Sequence, residues 1–120
     1  MRKIKYRAWN KINHVMHAVT NINFSYETGE VSYIYLMDYP YPSPVKYMEL
    51  LQYTGLKDSK GNEIYEGDIV RYEGSQGVVT WSETAPQFIP LPSVRMLDNH
   101  WEVIGNIYEH PHLLEEKHEH

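Results

Sequence analysis

Between Gln52 and Tyr72 the chain sets short apolar runs between clusters of turn-forming residues, and that alternation constrains its fold more than any other stretch. Asp58-Ser59-Lys60-Gly61 has the composition of a tight turn. An aspartate there accepts hydrogen bonds from its own backbone, and a glycine takes positive φ without steric cost. Glu66-Gly67-Asp68 offers a second bend immediately before Ile69-Val70-Arg71-Tyr72, whose β-branched and aromatic residues suit a pleated, half-buried surface. The segment therefore predicts loops feeding a strand. A phosphate-cradling loop would need a Lys-Ser/Thr pair at the right offset, or Gly-x-Gly-x-x-Gly opening a helix, and neither pattern occurs.

The flanking sequence extends the same pattern. Residues 10–13 predict a turn between an N-terminal strand and Val15 to Val19, and Glu27-Thr28-Gly29-Glu30 predicts a hairpin between Ile22–Tyr26 and Val31–Leu36. Tyr39-Pro40-Tyr41-Pro42-Ser43-Pro44 cannot join a central ladder, because proline lacks the N–H and restricts the residue before it. It is expected as an extended surface loop, either a plain linker or a ligand for proline-reading domains. Val45 to Tyr53 reads as a strand, with a helical alternative through Met48 and Leu51. Farther on, Glu73 to Gly77 predicts a turn joining strands Ile69–Tyr72 and Val78–Trp81. Phe88-Ile89 and Trp101 to Tyr108 are further strands, Ser82 to Pro92 is a proline-bearing loop, and Pro111 opens a helical turn through Leu113, Leu114 and Glu116.

Three blocks, in order, carry a family likeness: Arg2-Lys3-Ile4-Lys5-Tyr6-Arg7-Ala8-Trp9-Asn10-Lys11, then Gln52 through Val70, then Glu102-Val103-Ile104-Gly105-Asn106-Ile107-Tyr108-Glu109 with Pro111 and Leu113-Leu114. Together they resemble the YopX family of bacteriophage and prophage proteins. Thr20 to Tyr47 carries little of that pattern. The resemblance implies a small, mainly β protein: an N-terminal β-meander over residues 1–53, an SH3-like barrel portion over 54–120, and a short C-terminal helical turn. It implies no established activity, and it transfers no catalytic residue.

Composition bounds the rest. One domain is expected from 120 residues, and 42% hydrophobic residues suffice for a packed core. Eleven tyrosines against two phenylalanines favour half-buried sheet positions, either through β-propensity alone or through interfaces where a ring is buried and its hydroxyl stays wet. Without cysteine, the chain offers no disulfide, thiolate metal site or cysteine nucleophile. Charges at Arg2, Lys3, Lys5 and Arg7 interrupt what a secretory signal needs as an apolar run, and no segment approaches the roughly 18 apolar residues of a spanning helix. A soluble protein of the host cytoplasm, without a membrane partner, is expected.

The net charge of −5 is unevenly placed. Five cations and no acid lie in the first eleven residues, while Glu109, Glu115, Glu116 and Glu119 dominate the last dozen. Strand alternation sends Ile4, Tyr6 and Ala8 to one face and Lys3, Lys5 and Arg7 to the other. Such a cationic row is a solvated face that discourages edge aggregation. It is also what phosphates need, so Arg2, Lys3, Lys5 and Arg7 with Tyr6 and Trp9 form the candidate nucleic-acid site, rings stacking bases between cations.

Catalytic signals are thin. His110-Pro111-His112 with Glu109, and the terminal His118 and His120, lack the spacing of a helical metal motif. Asp58, Glu63, Glu66 and Asp68 are the carboxylates of the central block, and paired carboxylates divide into proton donor and acceptor when their environments push the two pKa values apart. Their positions match turn acceptors and an exposed bend instead. Neither a cofactor nor a metal is expected. The sequence thus points to a non-enzymatic protein-interaction or self-assembly module, a homo-oligomer or a binder of a host or phage protein, with Tyr39, Tyr41, Tyr53 and Tyr65 as its candidate interaction surface. A nucleic-acid module is the alternative, and a hydrolytic or metal-dependent enzyme the third reading.

Overall fold

The computed structural model describes residues 3–72, 74–82, 87–89 and 101–115. These residues form antiparallel β-sheet with one short helix, in two compact units divided at Gln52 and Tyr53.

In the unit Lys3–Gln52, strand β1 (Tyr6–Asn10) turns into β2 (Val15–Phe24) with Arg7 opposite Ala18 and Asn10 opposite Val15. Asn10 builds the turn, its Oδ1 accepting the N–H groups of Ile12 at 2.8 Å and Asn13 at 3.1 Å. His14 completes it at φ 58°, where most L-residues are strained. The sequence suggests separate strands at Val15–Val19 and Ile22–Tyr26, whereas β2 is continuous. Register shifts at residues 19–21 and 23–24 absorb the break while β2 pairs with β3 (Val31–Leu36). The expected hairpin turn follows, with Gly29 at φ 75°.

Instead of remaining wholly a loop, the proline-rich stretch ends in a two-residue edge strand, β4 (Ser43–Pro44), against Tyr33 and Ile34. An edge is where proline's missing donor costs the ladder least. A 3₁₀ turn over Val45–Tyr47 leads to β5 (Met48–Lys57), whose first residues pair with β1. Ala8, Ile34 and Leu36 form the buried core here, under Val19, Ile22 and Met48 among others.

The unit from Tyr53 onward has its own core of Ile64, Val70 and Val79, with Leu56, Trp101 and Val103 packed on it. Strand β6 (Glu63–Tyr65) pairs with the end of β5. The expected turn forms at Asp58–Gly61, with Gly61 at φ 87°. Strand β7 (Asp68–Tyr72) is flanked by β8 (Ser75–Val78) and β11 (Glu102–Asn106). Here the hairpin differs from expectation: Tyr72 pairs with Ser75, and Gly74 turns the chain at φ 85°, so β8 ends at Val78 rather than beginning there. The residues after it form β9 (Thr80–Ser82), paired with β10 (Gln87–Ile89).

Helix α1 (His112–Glu115) follows Pro111 as expected. Its expected member Glu116 lies outside the described residues, as do Arg2, His118, His120 and most of the Ser82–Pro92 loop. Among the described residues the sheets are open, and no closed barrel forms.

Candidate functional site

The unit Lys3–Gln52 presents two clefts. The first, of about 430 Å³, is walled by the β1–β2 turn (Asn10, Ile12, Asn13), the bend after β3 (Asp38, Tyr39) and the stretch from Ser43 to Met48, with His17 of β2 also lining it. Backbone bonds fix the walls: Lys11 N–H donates to the Tyr47 carbonyl at 2.8 Å, and Met37 N–H to the Ala18 carbonyl at 2.9 Å. Inside, His17 Nδ1 lies 3.2 Å from Asp38 Oδ1. That hydrogen bond, helped by Asp38's own backbone N–H, holds the Asp38 carboxyl below its ordinary value. Ser43 lines the same cleft, but its hydroxyl makes no hydrogen bond to His17 among the described residues, so no nucleophile–base pair is assembled.

A second cleft, of about 420 Å³, lies between Ile4, Lys5 and Tyr6 on one side and Val19 to Phe24 of β2 on the other. Its lining includes the strongly exposed apolar side chains Ile4, at 75%, and Phe24, at 59%.

In the second unit the central block and the closing block meet at Asp58, which is 4% exposed. Asp58 Oδ1 accepts the N–H groups of Lys60 (2.9 Å) and Asn62 (2.8 Å), and Oδ2 accepts Val103 N–H (3.0 Å) and the Asn62 amide (3.2 Å). Burial pushes this carboxyl up, but the donors from Val103, Asn62 and Lys60 outweigh it, and the net shift is downward. Two further links join the blocks: Ser59 N–H to the Trp101 carbonyl at 2.8 Å, and Lys60 Nζ to Glu102 Oε1 at 3.4 Å. Asp68, 2% exposed, accepts Tyr65 N–H at 2.8 Å. Both aspartates are thus turn and strand supports. Asp58, held below its usual range and saturated by protein donors, is a poor proton acceptor.

The histidine cluster is likewise engaged. Asn106 N–H donates to His110 Nδ1 at 3.2 Å, and the Asn106 amide donates to Glu109 Oε1 at 3.2 Å. Asn106 Oδ1 in turn accepts the N–H groups of Tyr108 and Glu109. No group of three metal-ligating side chains occurs among the described residues.

The structure separates the residues singled out from sequence. Tyr39 and Tyr41 are exposed and stack edge to face at 5.7 Å, whereas Tyr53 is buried at 6% and packs against the half-buried Tyr65 at 5.5 Å in the other unit. Of the candidate nucleic-acid residues, Lys3 and Lys5 are exposed and Tyr6 and Arg7 half-buried, while Arg2 lies outside the described residues. Trp9 is buried at 8% and stacks on His14, so its ring is not offered to a base. Neighbouring residues of a strand point to opposite faces, and Ala8 and Trp9 are both buried, so β1 is covered on both sides there. His17 and Asp38 were not anticipated; they lie 21 residues apart and carry no motif spacing.

The family model for YopX protein matches residues 5–115. The chain belongs to the YopX family. Among solved structures, this YopX chain is similar to the crystal structure of protein EF1440 from Enterococcus faecalis, with a TM-score of 0.65 and 24% identity over 95% of this chain and 99% of that one. At that identity the likeness speaks for the fold. No curated protein sequence matches the chain.

Proposed function

We propose that this YopX protein is a non-enzymatic interaction module that engages a protein partner, or further copies of itself, through the unit Lys3–Gln52. One observation carries the reading. Nine of the ten strongly exposed large apolar side chains among the described residues belong to that unit: Ile4, Ile12, Val15, Phe24, Tyr26, Met37, Tyr39, Tyr41 and Tyr47. Concentrated apolar exposure is a mark of surfaces that bind other macromolecules. The engagement of Asp58, Asp68 and His110 in backbone hydrogen bonds supports the non-enzymatic part of the reading.

The setting we infer from the family resemblance is a phage or prophage protein acting in the host cytoplasm, with homo-oligomers among its assemblies. An SH3-like architecture for residues 54–120 belongs to the same inference. The test is affinity capture from cells expressing the chain, with and without nuclease, beside its native mass. A specific partner retained after nuclease, or a native mass above that of one chain, is expected. Partners that vanish with nuclease would transfer the function to nucleic acid, and a strictly monomeric chain capturing nothing would remove the reading.

A further inference from the structure

Ser43 lines the cleft of about 430 Å³ and is only 7% exposed, yet its hydroxyl has no hydrogen-bond partner among the described residues. Buried polar groups are ordinarily paired, so an open hydroxyl in a cleft wall marks a place for a ligand atom. The same cleft holds a negative charge. An ionised carboxylate only accepts, so His17 Nδ1–H donates to Asp38 Oδ1 at 3.2 Å, and a neutral imidazole that donates leaves the pair with the carboxylate's full charge. The Asp38 side chain is 69% exposed, and a carboxylate offers about four acceptor sites, so the bonds from His17 and from Asp38's own backbone N–H leave room for further donors. Among the described residues no lysine or arginine lines this cleft.

We propose that this cleft takes an arginine side chain of a partner protein, with its guanidinium on Asp38 and Ser43 and its methylene stem against Ile12, Leu36 and Met48. A volume of about 430 Å³ is at the small end of ligand sites and suits one long side chain rather than a folded element. Arginine fits better than lysine, because its planar fork carries five donors that meet separate acceptors at once and stacks on aromatic faces. Tyr39 offers such a face, since its edge-to-face contact with Tyr41 at 5.7 Å covers at most one side of the ring. Tyr47 does not, because Lys46 Nζ already stands 5.4 Å from its ring centroid. The other cation next to the lining in sequence, Lys11, is paired with Glu49 at 3.2 Å. A phosphate-bearing ligand would meet the Asp38 charge with no lining lysine or arginine to offset it.

This inference rests on the interaction reading, and its test is independent of capture. Three blocked tripeptides serve as probes, each with one central residue between glycines: arginine, citrulline (the same shape without the charge) and lysine. Binding is read from the chemical shifts of the His17 ring, the Tyr39 ring and the Met48 methyl group as each probe is titrated into the full chain. The arginine peptide should shift all three signals, and the citrulline peptide should bind at least about tenfold more weakly, with lysine between them. Asp38→Asn, at an exposed side chain, should keep the fold and abolish the difference between arginine and citrulline. Ser43→Ala should weaken the arginine peptide by about tenfold while Asp38 keeps its preference for the charged probe. No shift up to about 20 mM arginine peptide, equal binding of citrulline, or an Asp38→Asn chain that still discriminates would each overturn the proposal. Shifts that grow with protein concentration alone would give the cleft to an arginine of a second copy and overturn the partner. A nuclease-resistant captured partner alongside an unresponsive cleft would leave the module standing and remove only this site. Arginine selectivity in a chain that captures nothing would keep the chemistry of the cleft and remove the partner.

Discussion

The Asp58 carboxylate accepts the N–H of Val103 at 3.0 Å across 45 residues of sequence, so the turn of the central block and the strand of the closing block are one structural unit. Removing that carboxylate orphans four donors at a site that is 4% exposed. Asp58→Ala should destabilise the protein by about 3 kcal/mol and Asp58→Asn by about 1–2, because four hydrogen bonds to a buried, charged acceptor are lost and the half-buried Val103 N–H is left without its partner. Urea unfolding measures both, and an Asp58→Ala midpoint equal to wild type would contradict the assignment.

Acid should find the same residue. The Asp58 carboxyl titrates below its ordinary 3.8 in the folded chain, so the unfolded chain binds the proton first and acid favours unfolding. The stability it contributes is fully present above its unfolded value and is lost as pH falls through the folded one. The gap between wild type and Asp58→Asn should therefore be constant near neutral pH and close below about pH 4. A gap that persists undiminished at about pH 3 would contradict this sign.

Gly105 is required by close approach. A Cβ there would stand 2.8 Å from His110 Nδ1 and 2.8 Å from Leu113 Cδ1, so the imidazole that accepts Asn106 N–H would have to shift. Gly105→Ala should cost about 1–3 kcal/mol as overpacking. It should also change the His110 ring nitrogen shifts in an NMR spectrum. Unchanged imidazole resonances would show that the site absorbs the methyl group without breaking the bond.

Local turn chemistry explains what the sequence makes legible. Asp58 to Gly61 reads correctly because a side-chain acceptor and a positive-φ glycine specify a turn within four residues, and Gly29 does the same for the β2–β3 hairpin. Register is harder to read. Both Gly74 and Gly77 can turn a chain, and only pairing with β7 selects Gly74. Asn106 shows the same limit at the end of β11, where its side chain caps the N–H groups of Tyr108 and Glu109 and stops a strand that composition carries to Tyr108. Contacts between distant residues leave no periodic trace. The His17–Asp38 pair and the burial of Trp9 depend on which strands become neighbours, so the clefts of the first unit were not readable in advance.

The most direct test of the interaction account asks which unit holds the partner. Capture is compared for wild type, for Phe24→Ser combined with Tyr39→Ser, and for Trp81→Ser, an exposed apolar residue of the other unit. Far-ultraviolet circular dichroism confirms that each variant is folded. The account predicts that the nuclease-resistant partner, or the self-assembled mass, is lost with the paired substitutions and retained with Trp81→Ser. Retention by the folded pair and loss with Trp81→Ser would contradict it and move the interaction surface out of residues 3–52.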